Sequence, residues 1–127
     1  MSSSFYLVSI VQVILALGLL NVWLLRFNQR TAYRGSDAHN MKEEFRAYGL
    51  PSGSVYFIGA LKLLCAFGLL AAFWIPELLL PSGVLLSALM IGAIAMHLKV
   101  RDPLIRSLPA VCMLSMAIFV LFFSPSA

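Results

Sequence analysis

Long apolar runs alternate with shorter polar stretches along this chain. Four runs carry almost no charge: residues 5–25, 55–75, 78–98 and 103–123. A helix needs about 20 apolar residues to cross a bilayer, and lipid offers the backbone no hydrogen bonds, so these runs favour helices over open strands. The pattern predicts an all-α membrane protein, a single domain over residues 1–127 built as a bundle of four transmembrane helices.

The composition excludes several other classes of protein. Of the 127 residues, 61% are hydrophobic and 11% are charged, whereas a soluble domain is about half apolar and about a quarter charged. Two cysteines cannot build a disulfide scaffold. The net charge of +4 comes from basic residues that flank the apolar runs, so it predicts the lipid bilayer as partner and no nucleic acid.

The positions of the basic residues predict the orientation. Eight of the nine lie in the first connection (residues 26–54) or around the third one (residues 99–106). Lys and Arg concentrate on the cytoplasmic side of membrane proteins, so both termini are expected outside, in the periplasm if the membrane is a bacterial inner membrane. A cleaved signal peptide is the rival for the first run, but no basic residue precedes Phe5 and the run is longer than a signal core.

The first connection is too long to be a simple link. Within residues 37–48, a helix would place Met41, Phe45 and Tyr48 on one face, and residues 49–51, Gly-Leu-Pro, would end it. We therefore predict a short amphipathic cytoplasmic helix between the first and second spans. Its apolar face is expected to lie against the bundle or against lipid.

The other connections also carry helix-end signals. Residues 74–77 are so few that the second and third spans form a tight hairpin. Asp102 followed by Pro103 is a helix-start signal, because Asp is a good N-cap and Pro suits the first helical position. We expect the last helix to begin at Pro103, capped by Asp102, with a slight kink at Pro109.

Lys62 is the most unusual residue because it lies inside the second run, about 10 Å from its boundary at 1.5 Å of rise per residue. A charge inside the membrane costs several kcal/mol unless it is paired, hydrated or able to reach the interface. One interpretation is that Lys62 snorkels to the cytoplasmic face. The other is a bundle-facing ammonium paired with Glu43, Glu44 or Asp102.

Further polar residues fall near the same end of the bundle. His97 ends the third run, and it either contacts the last carbonyls of its own helix or, when protonated, pairs with Asp102. We predict that a polar vestibule, closed by the amphipathic helix, lies at this end. Its candidate residues are Asn21, Arg34, Glu43, Glu44, Lys62, His97 and Asp102.

No motif identifies catalytic chemistry, so no catalytic residue is predicted. The nucleophile elbow, the phosphate-binding and dinucleotide-binding glycine motifs and the zinc-protease motif do not occur in the sequence. His39, His97, Cys65 and Cys112 lack the spacing of metal ligands, and no metal is predicted. Cys65 and Cys112 fall at similar depths, which leaves a thiol redox pair open, although small apolar cysteines are common in packed helices.

Two pairs of small residues allow close helix approach. Gly68 with Ala72, and Ala88 with Gly92, follow the small-x-x-x-small pattern of membrane helix contacts. They predict tight packing inside the bundle or between subunits of a homo-oligomer.

Three short motifs carry a family resemblance. Asp37-Ala38-x-x-Met41-Lys42 precedes the amphipathic helix, Gly59-Ala60-Leu61-Lys62-Leu63-Leu64 lies in the second run, and residues 96–104 are Met-His-Leu-Lys-Val-Arg-Asp-Pro-Leu. The last resembles the H-x-x-x-x-D-P-L signature before the final helix of the DoxX-like family. With the four-helix plan, the chain resembles that family over nearly its whole length, and it is also similar to the core of the animal nicotinic-receptor chaperone.

The resemblance implies little about chemistry. Bacterial members of the family are mostly uncharacterised inner-membrane proteins, some relatives are linked to quinone-coupled sulfur oxidation or to membrane-bound antioxidant complexes, and the chaperone branch assembles other membrane proteins. Many relatives carry Glu at the position of Lys62. Any proton or quinone chemistry of that Glu therefore does not transfer to this chain.

Two hypotheses for function follow. The first is a non-enzymatic scaffold, assembly factor or lipid-binding subunit that contacts other transmembrane proteins or a second copy of itself. The alternative is a quinone-linked redox subunit, in which Lys62, His97 or Asn21 would hydrogen-bond the carbonyls of a bound quinone. The sequence has no cofactor fingerprint and no thiol motif, which favours the first hypothesis and predicts no cofactor.

The predicted orientation can be tested by cysteine labelling. A Ser3→Cys protein should react with a membrane-impermeant maleimide added from the outside, because the N-terminus is expected there. Labelling from the cytoplasmic side only would overturn the orientation.

Overall fold

Five α-helices make up the fold. The computed structural model describes residues 3–29, 31–51 and 53–124, and no strand occurs among them. The helices are α1 (Ser3–Leu20), α2 (Met41–Ala47), α3 (Ser54–Ala71), α4 (Leu79–Lys99) and α5 (Leu108–Phe123).

Within the described part of the chain, four stretches are long and apolar enough to cross a membrane. They are Phe5–Leu25, Ser54–Ala71, Pro76–Lys99 and Leu104–Phe123. The prediction of an all-α membrane protein with four spans is therefore confirmed. The boundaries agree with the apolar pattern except at the second span, which is shorter than residues 55–75.

The four long helices form a ring in which each helix packs against two others. α1 contacts α3 and α5, and α4 contacts the same two helices from the opposite side. Leu15, Leu69 and Leu86 are fully buried between them. Large apolar side chains such as Phe67 and Phe122 remain exposed around the outside, as expected for a surface that meets lipid.

The second span ends early because of the proline that follows it. α3 stops at Ala71, and Ile75 has a φ of −124° and a ψ of 83°. The residue before a proline is disfavoured in the helical region, so Pro76 prevents the helix from continuing through residue 75. A 3₁₀ turn, Pro76–Leu78, then leads into α4.

The start of the last helix differs from the prediction. Pro103 is extended, with a ψ of 146°, and a 3₁₀ turn at Leu104–Ser107 precedes α5. Asp102 does not cap this helix because its carboxylate accepts hydrogen bonds from other donors, which are described below. Pro109 lies in the first turn of α5, where proline is tolerated. The predicted kink assumed that Pro109 lies in the second turn, so the reason for expecting it does not apply.

The amphipathic helix is present as α2, and its apolar face lies against the bundle. Asn40 caps its start by accepting a hydrogen bond from the Glu43 N–H at 2.9 Å, and Gly49 follows it with a φ of 78°. Met41 and Phe45 are buried in a cluster with Trp23 of the first span. The helix is shorter than residues 37–48 because its cap lies at Asn40.

The contact between α3 and α4 generates a prediction. A Cβ on Gly68 would overlap the side chain of Ser82, so Gly68→Val should lower the free energy of unfolding by about 1–3 kcal/mol through overpacking. Denaturant titration in detergent micelles measures this. Gly92→Val is the control, since a Cβ there meets no atom within 4 Å; an equal loss in both variants would contradict the close approach.

Candidate functional site

A cavity of about 810 Å³ lies at the end of the bundle that α2 covers. Residues from all four spans form its walls, and residues of the first connection form its roof. Apolar side chains such as Leu19, Met90 and Met113 line the part inside the bundle. The cavity therefore has an apolar body and a polar end.

A π-helical turn at the end of the first span shapes one wall. Residues Asn21–Leu25 form this turn, with the Arg26 N–H donating to the Asn21 carbonyl at 2.9 Å. Such turns are inserted into α-helices most often at functional sites. The turn is the part of the first span that brings both Asn21 and Trp23 to the cavity.

Trp23 joins three elements at the cavity wall. Its indole ring lies against Gly59 of α3, where an added Cβ would come within 2.8 Å of the ring. The same ring meets Phe45 of α2 edge to face, with 5.9 Å between ring centroids. Glycine at position 59 is therefore required for the ring to lie in this place.

Lys62 points into the bundle and not into lipid. Its side chain lines the cavity, and the residue is only 8% exposed. The ammonium lies 5.0 Å from the centroid of the Trp23 ring, within the range of a cation–π contact.

The predicted salt bridge of Lys62 is not formed. Among the residues that the structure describes, no carboxylate oxygen lies within 4.0 Å of its ammonium. Glu44 acts on it electrostatically from farther away. The carboxylates are engaged by other groups, and this is why a tryptophan face takes the place of the expected acid.

The Arg34–Glu44 ion pair is the centre of the roof. Arg34 Nη1 lies 3.1 Å from Glu44 Oε2, and both side chains are at most one-tenth exposed. The other carboxylate oxygen of Glu44 accepts hydrogen bonds from the Tyr48 hydroxyl at 2.6 Å and the Gly35 N–H at 3.0 Å. The Arg34 guanidinium also donates to the Gln29 carbonyl at 3.1 Å. A buried ion pair needs such additional bonds to offset its desolvation.

Tyr48 keeps its proton in this arrangement. Burial, together with the charge of Glu44 and the hydrogen bond to it, raises the pKa of the Tyr48 hydroxyl far above its ordinary value. The hydroxyl is therefore a donor to Glu44.

His97 and Asp102 form a second buried pair beside the first. His97 Nδ1 lies 2.8 Å from Asp102 Oδ2. On the other side of the ring, His97 Nε2 is 3.4 Å from the Tyr48 hydroxyl and 3.9 Å from Glu44 Oε1. Of the two interpretations of His97, pairing with Asp102 is the one that the structure shows.

The Asp102 carboxylate connects α4, the 3₁₀ turn before α5 and the first connection. Its other oxygen accepts from the Ser36 N–H at 2.9 Å and from Arg106 Nη1 at 3.1 Å. Burial alone would raise the pKa of Asp102, but the Ser36 and His97 hydrogen bonds and the nearby charges of His97 and Arg106 outweigh it and lower the pKa. The ionised carboxylate thus holds the roof to the helix ends, together with the Arg106–Asp37 ion pair.

The structure brings most of the predicted site residues together. Glu43 is the exception, because its carboxylate accepts a hydrogen bond from the Asn40 side chain at 3.1 Å and takes part in capping α2. Asp102 lies behind His97 and does not line the cavity. The predicted residues that line it are Asn21, Arg34, Glu44, Lys62 and His97.

Sequence reasoning missed three residues of the site. In the sequence, Trp23 is one apolar residue among many in the first run, and the apolar pattern assigns Tyr48 only to the apolar face of α2. Arg106 was counted as a flanking positive charge. The acidic and basic residues four positions apart, Asp102 and Arg106, are a signal that could have identified Arg106, and they meet across the 3₁₀ turn at Leu104–Ser107.

The cysteines and small-residue pairs have separate positions. Cys65 is buried in α3, Cys112 is exposed on α5, and both are free thiols. Gly68 packs inside the bundle, whereas Ala88 and Gly92 are exposed and border the cavity. Within the described part of the chain, no three His, Cys, Asp or Glu side chains are grouped as metal ligands would be.

The family model of the DoxX-like family matches residues 10–120. The chain belongs to the DoxX-like family. The matched range includes every residue of the cavity and its roof, and with four membrane-spanning helices this DoxX-like protein is an integral membrane protein. Comparisons with curated proteins and with solved structures found no match.

The Arg34–Glu44 pair gives a prediction with a neighbouring control. Glu44→Gln should lower the free energy of unfolding by about 3–5 kcal/mol, because it leaves the Arg34 charge buried without its partner. Glu43→Gln should be nearly neutral, since Gln also serves in this position of a helix cap. Denaturant titration of both variants in detergent micelles checks this, and an unchanged Glu44→Gln protein would show that the pair does not hold the roof.

Proposed function

We propose that this DoxX-like protein is a non-enzymatic membrane subunit that binds a lipid-like molecule, one with a hydrocarbon body and a polar head. The observation that carries the proposal is the cavity of about 810 Å³ between the spans. Its volume falls in the range of about 300–1,000 Å³ that is usual for small-molecule sites.

The two parts of the cavity match the two parts of such a ligand. The apolar walls from α4 and α5, including Leu89 and Met113, would contact the hydrocarbon body. The polar end near Lys62 and His97 would contact the head. Exposed Ala88 and Gly92 border the cavity on the outer face of α4, which supports entry from the lipid side.

The bonding of the polar groups favours binding over catalysis. Both oxygens of Glu44 and both oxygens of Asp102 already accept hydrogen bonds from protein donors. A general base must be within hydrogen-bond reach of the substrate proton, and these carboxylates face their protein partners. A scaffold role has weaker support, because Gly68 is used for packing within the bundle.

A quinone-linked redox role remains the second candidate. A quinone is also an apolar chain with a polar head, and the Lys62 ammonium in the cavity wall is a donor for a quinone carbonyl. The placement of this polar end at the cytoplasmic face of an inner membrane is also part of the proposal, and it rests on the distribution of basic residues.

The proposal is tested by identifying the molecule that stays bound in the cavity. The protein is purified in mild detergent micelles without added lipid, and the lipids and quinones that co-purify are quantified by mass spectrometry. The wild-type protein should retain about one amphipathic molecule per chain. Gly92→Phe should lose it, because the added ring would occupy space that is open beside the cavity.

Gly53→Phe is the matched control, since a side chain at Gly53 also meets open space but does not border the cavity. It should retain the molecule. A stoichiometric quinone would favour the redox alternative. Equal retention in Gly92→Phe and Gly53→Phe, or none in the wild-type protein, would overturn the proposal.

A further inference from the structure

Lys62 differs from the other buried charged side chains that the structure describes. Arg34, Glu44 and His97 each have an ion-pair or hydrogen-bond partner. Lys62, at 8% exposure, has neither a hydrogen bond nor an ion pair within the described residues, and its ammonium lies at the cavity wall.

The Trp23 ring compensates only part of the cost of burying this charge. A cation–π contact is weaker than a charge-assisted hydrogen bond to an anion. The ring also covers one side of the ammonium, which has three N–H donors. No acceptor among the described residues bonds to the remaining donors, so they are available to a molecule in the cavity.

The charges around the cavity leave Lys62 unbalanced. Arg34 is balanced by Glu44, and Arg106 is balanced by Asp102, while the Asp37 side chain that also pairs with Arg106 is 76% exposed and does not belong to the buried set. Glu44 is the carboxylate that acts on Lys62, but its oxygens are already bonded to Arg34, Tyr48 and Gly35. The polar end of the cavity therefore has one buried positive charge in excess.

We infer that the head of the bound molecule is an oxyanion, a carboxylate or a phosphate, and that its oxygen accepts hydrogen bonds from the Lys62 ammonium. This inference rests on the proposed lipid-binding function and adds the chemical class of the ligand. The anion completes the coordination of Lys62 on the side opposite the Trp23 ring.

The two tryptophans of the chain make a direct test available. Trp23 lines the cavity, whereas Trp74 is 82% exposed beyond the far end of α3. In a Trp74→Phe protein, the remaining fluorescence reports on the cavity. Bromine quenches tryptophan at short range, so 6,7-dibromostearic acid, whose bromines lie nearer to the carboxylate than mid-chain ones, and its methyl ester are matched anionic and neutral probes.

The acid should quench Trp23 in maltoside detergent micelles, which contain no competing phosphate, at a concentration at least tenfold lower than the ester. Lys62→Met should abolish this difference, and Lys62→Arg should preserve it. Arg46→Met is the control for charge removal, since Arg46 is exposed on α2 and does not line the cavity, and it should keep the preference for the acid.

The outcomes separate this inference from the proposed function. Saturable quenching by acid and ester at equal concentrations would overturn the oxyanion head and leave lipid binding intact. No saturable quenching of Trp23 by either probe would overturn both. A preference for the acid that persists in folded Lys62→Met protein would overturn the assignment to Lys62. If that variant does not fold, the comparison of acid and ester in the wild-type protein still tests the oxyanion head.

A second pair of probes distinguishes the source of the oxyanion. Brominated phosphatidylglycerol and brominated diacylglycerol have the same chains, and only the first carries a phosphate. A preference for phosphatidylglycerol alone identifies a phospholipid headgroup, and a preference for the fatty acid alone identifies a single-chain carboxylate. Either supports the inference, and a preference for neither anion contradicts it.

Discussion

The burial of the Glu44 carboxylate is the constraint on which the polar end of this protein depends. A buried carboxylate must be surrounded by donors, and three of them come from the same stretch of chain: Arg34, Gly35 and Tyr48. Gly35 has no alternative there, because a Cβ would lie 2.6 Å from the Tyr48 hydroxyl oxygen. The first connection follows its path over the cavity because that path brings these three donors to the Glu44 carboxylate.

The roof and the spans meet through a short series of polar contacts. Ser36 has a φ of 51°, a conformation that is costly without glycine, and in this conformation its N–H reaches Asp102. His97 lies between Asp102 and the Tyr48–Glu44 pair, so the ends of α4 and α5 are joined to the roof. On the other side, Trp23 packs against α2 and α3. The cavity is therefore enclosed by two different kinds of contact, one ionic and one aromatic.

The apolar pattern was sufficient to predict the four spans and the buried face of α2, because hydrophobic periodicity acts through local sequence. It also predicts that Asn21, Lys62 and His97 lie at one end of the bundle. It could not predict which side chains and backbone groups these residues contact. The pairing of Asp102 with Ser36 and His97, and of Lys62 with the ring of Trp23, depends on the backbone path of residues 31–40 and on the π-helical turn. Neither follows from residue spacing.

The order of these elements along the chain has a consequence for biogenesis. The bonds inside the roof join residues 26–48, which leave the ribosome before α3. The groups that attach the roof to the spans are made last: His97, Lys99, Asp102 and Arg106. The polar contacts between the roof and the helix ends can therefore form only after residues 97–106 have been made, so the ionic side of the cavity closes late, whereas the aromatic contact of Trp23 with α2 is available earlier.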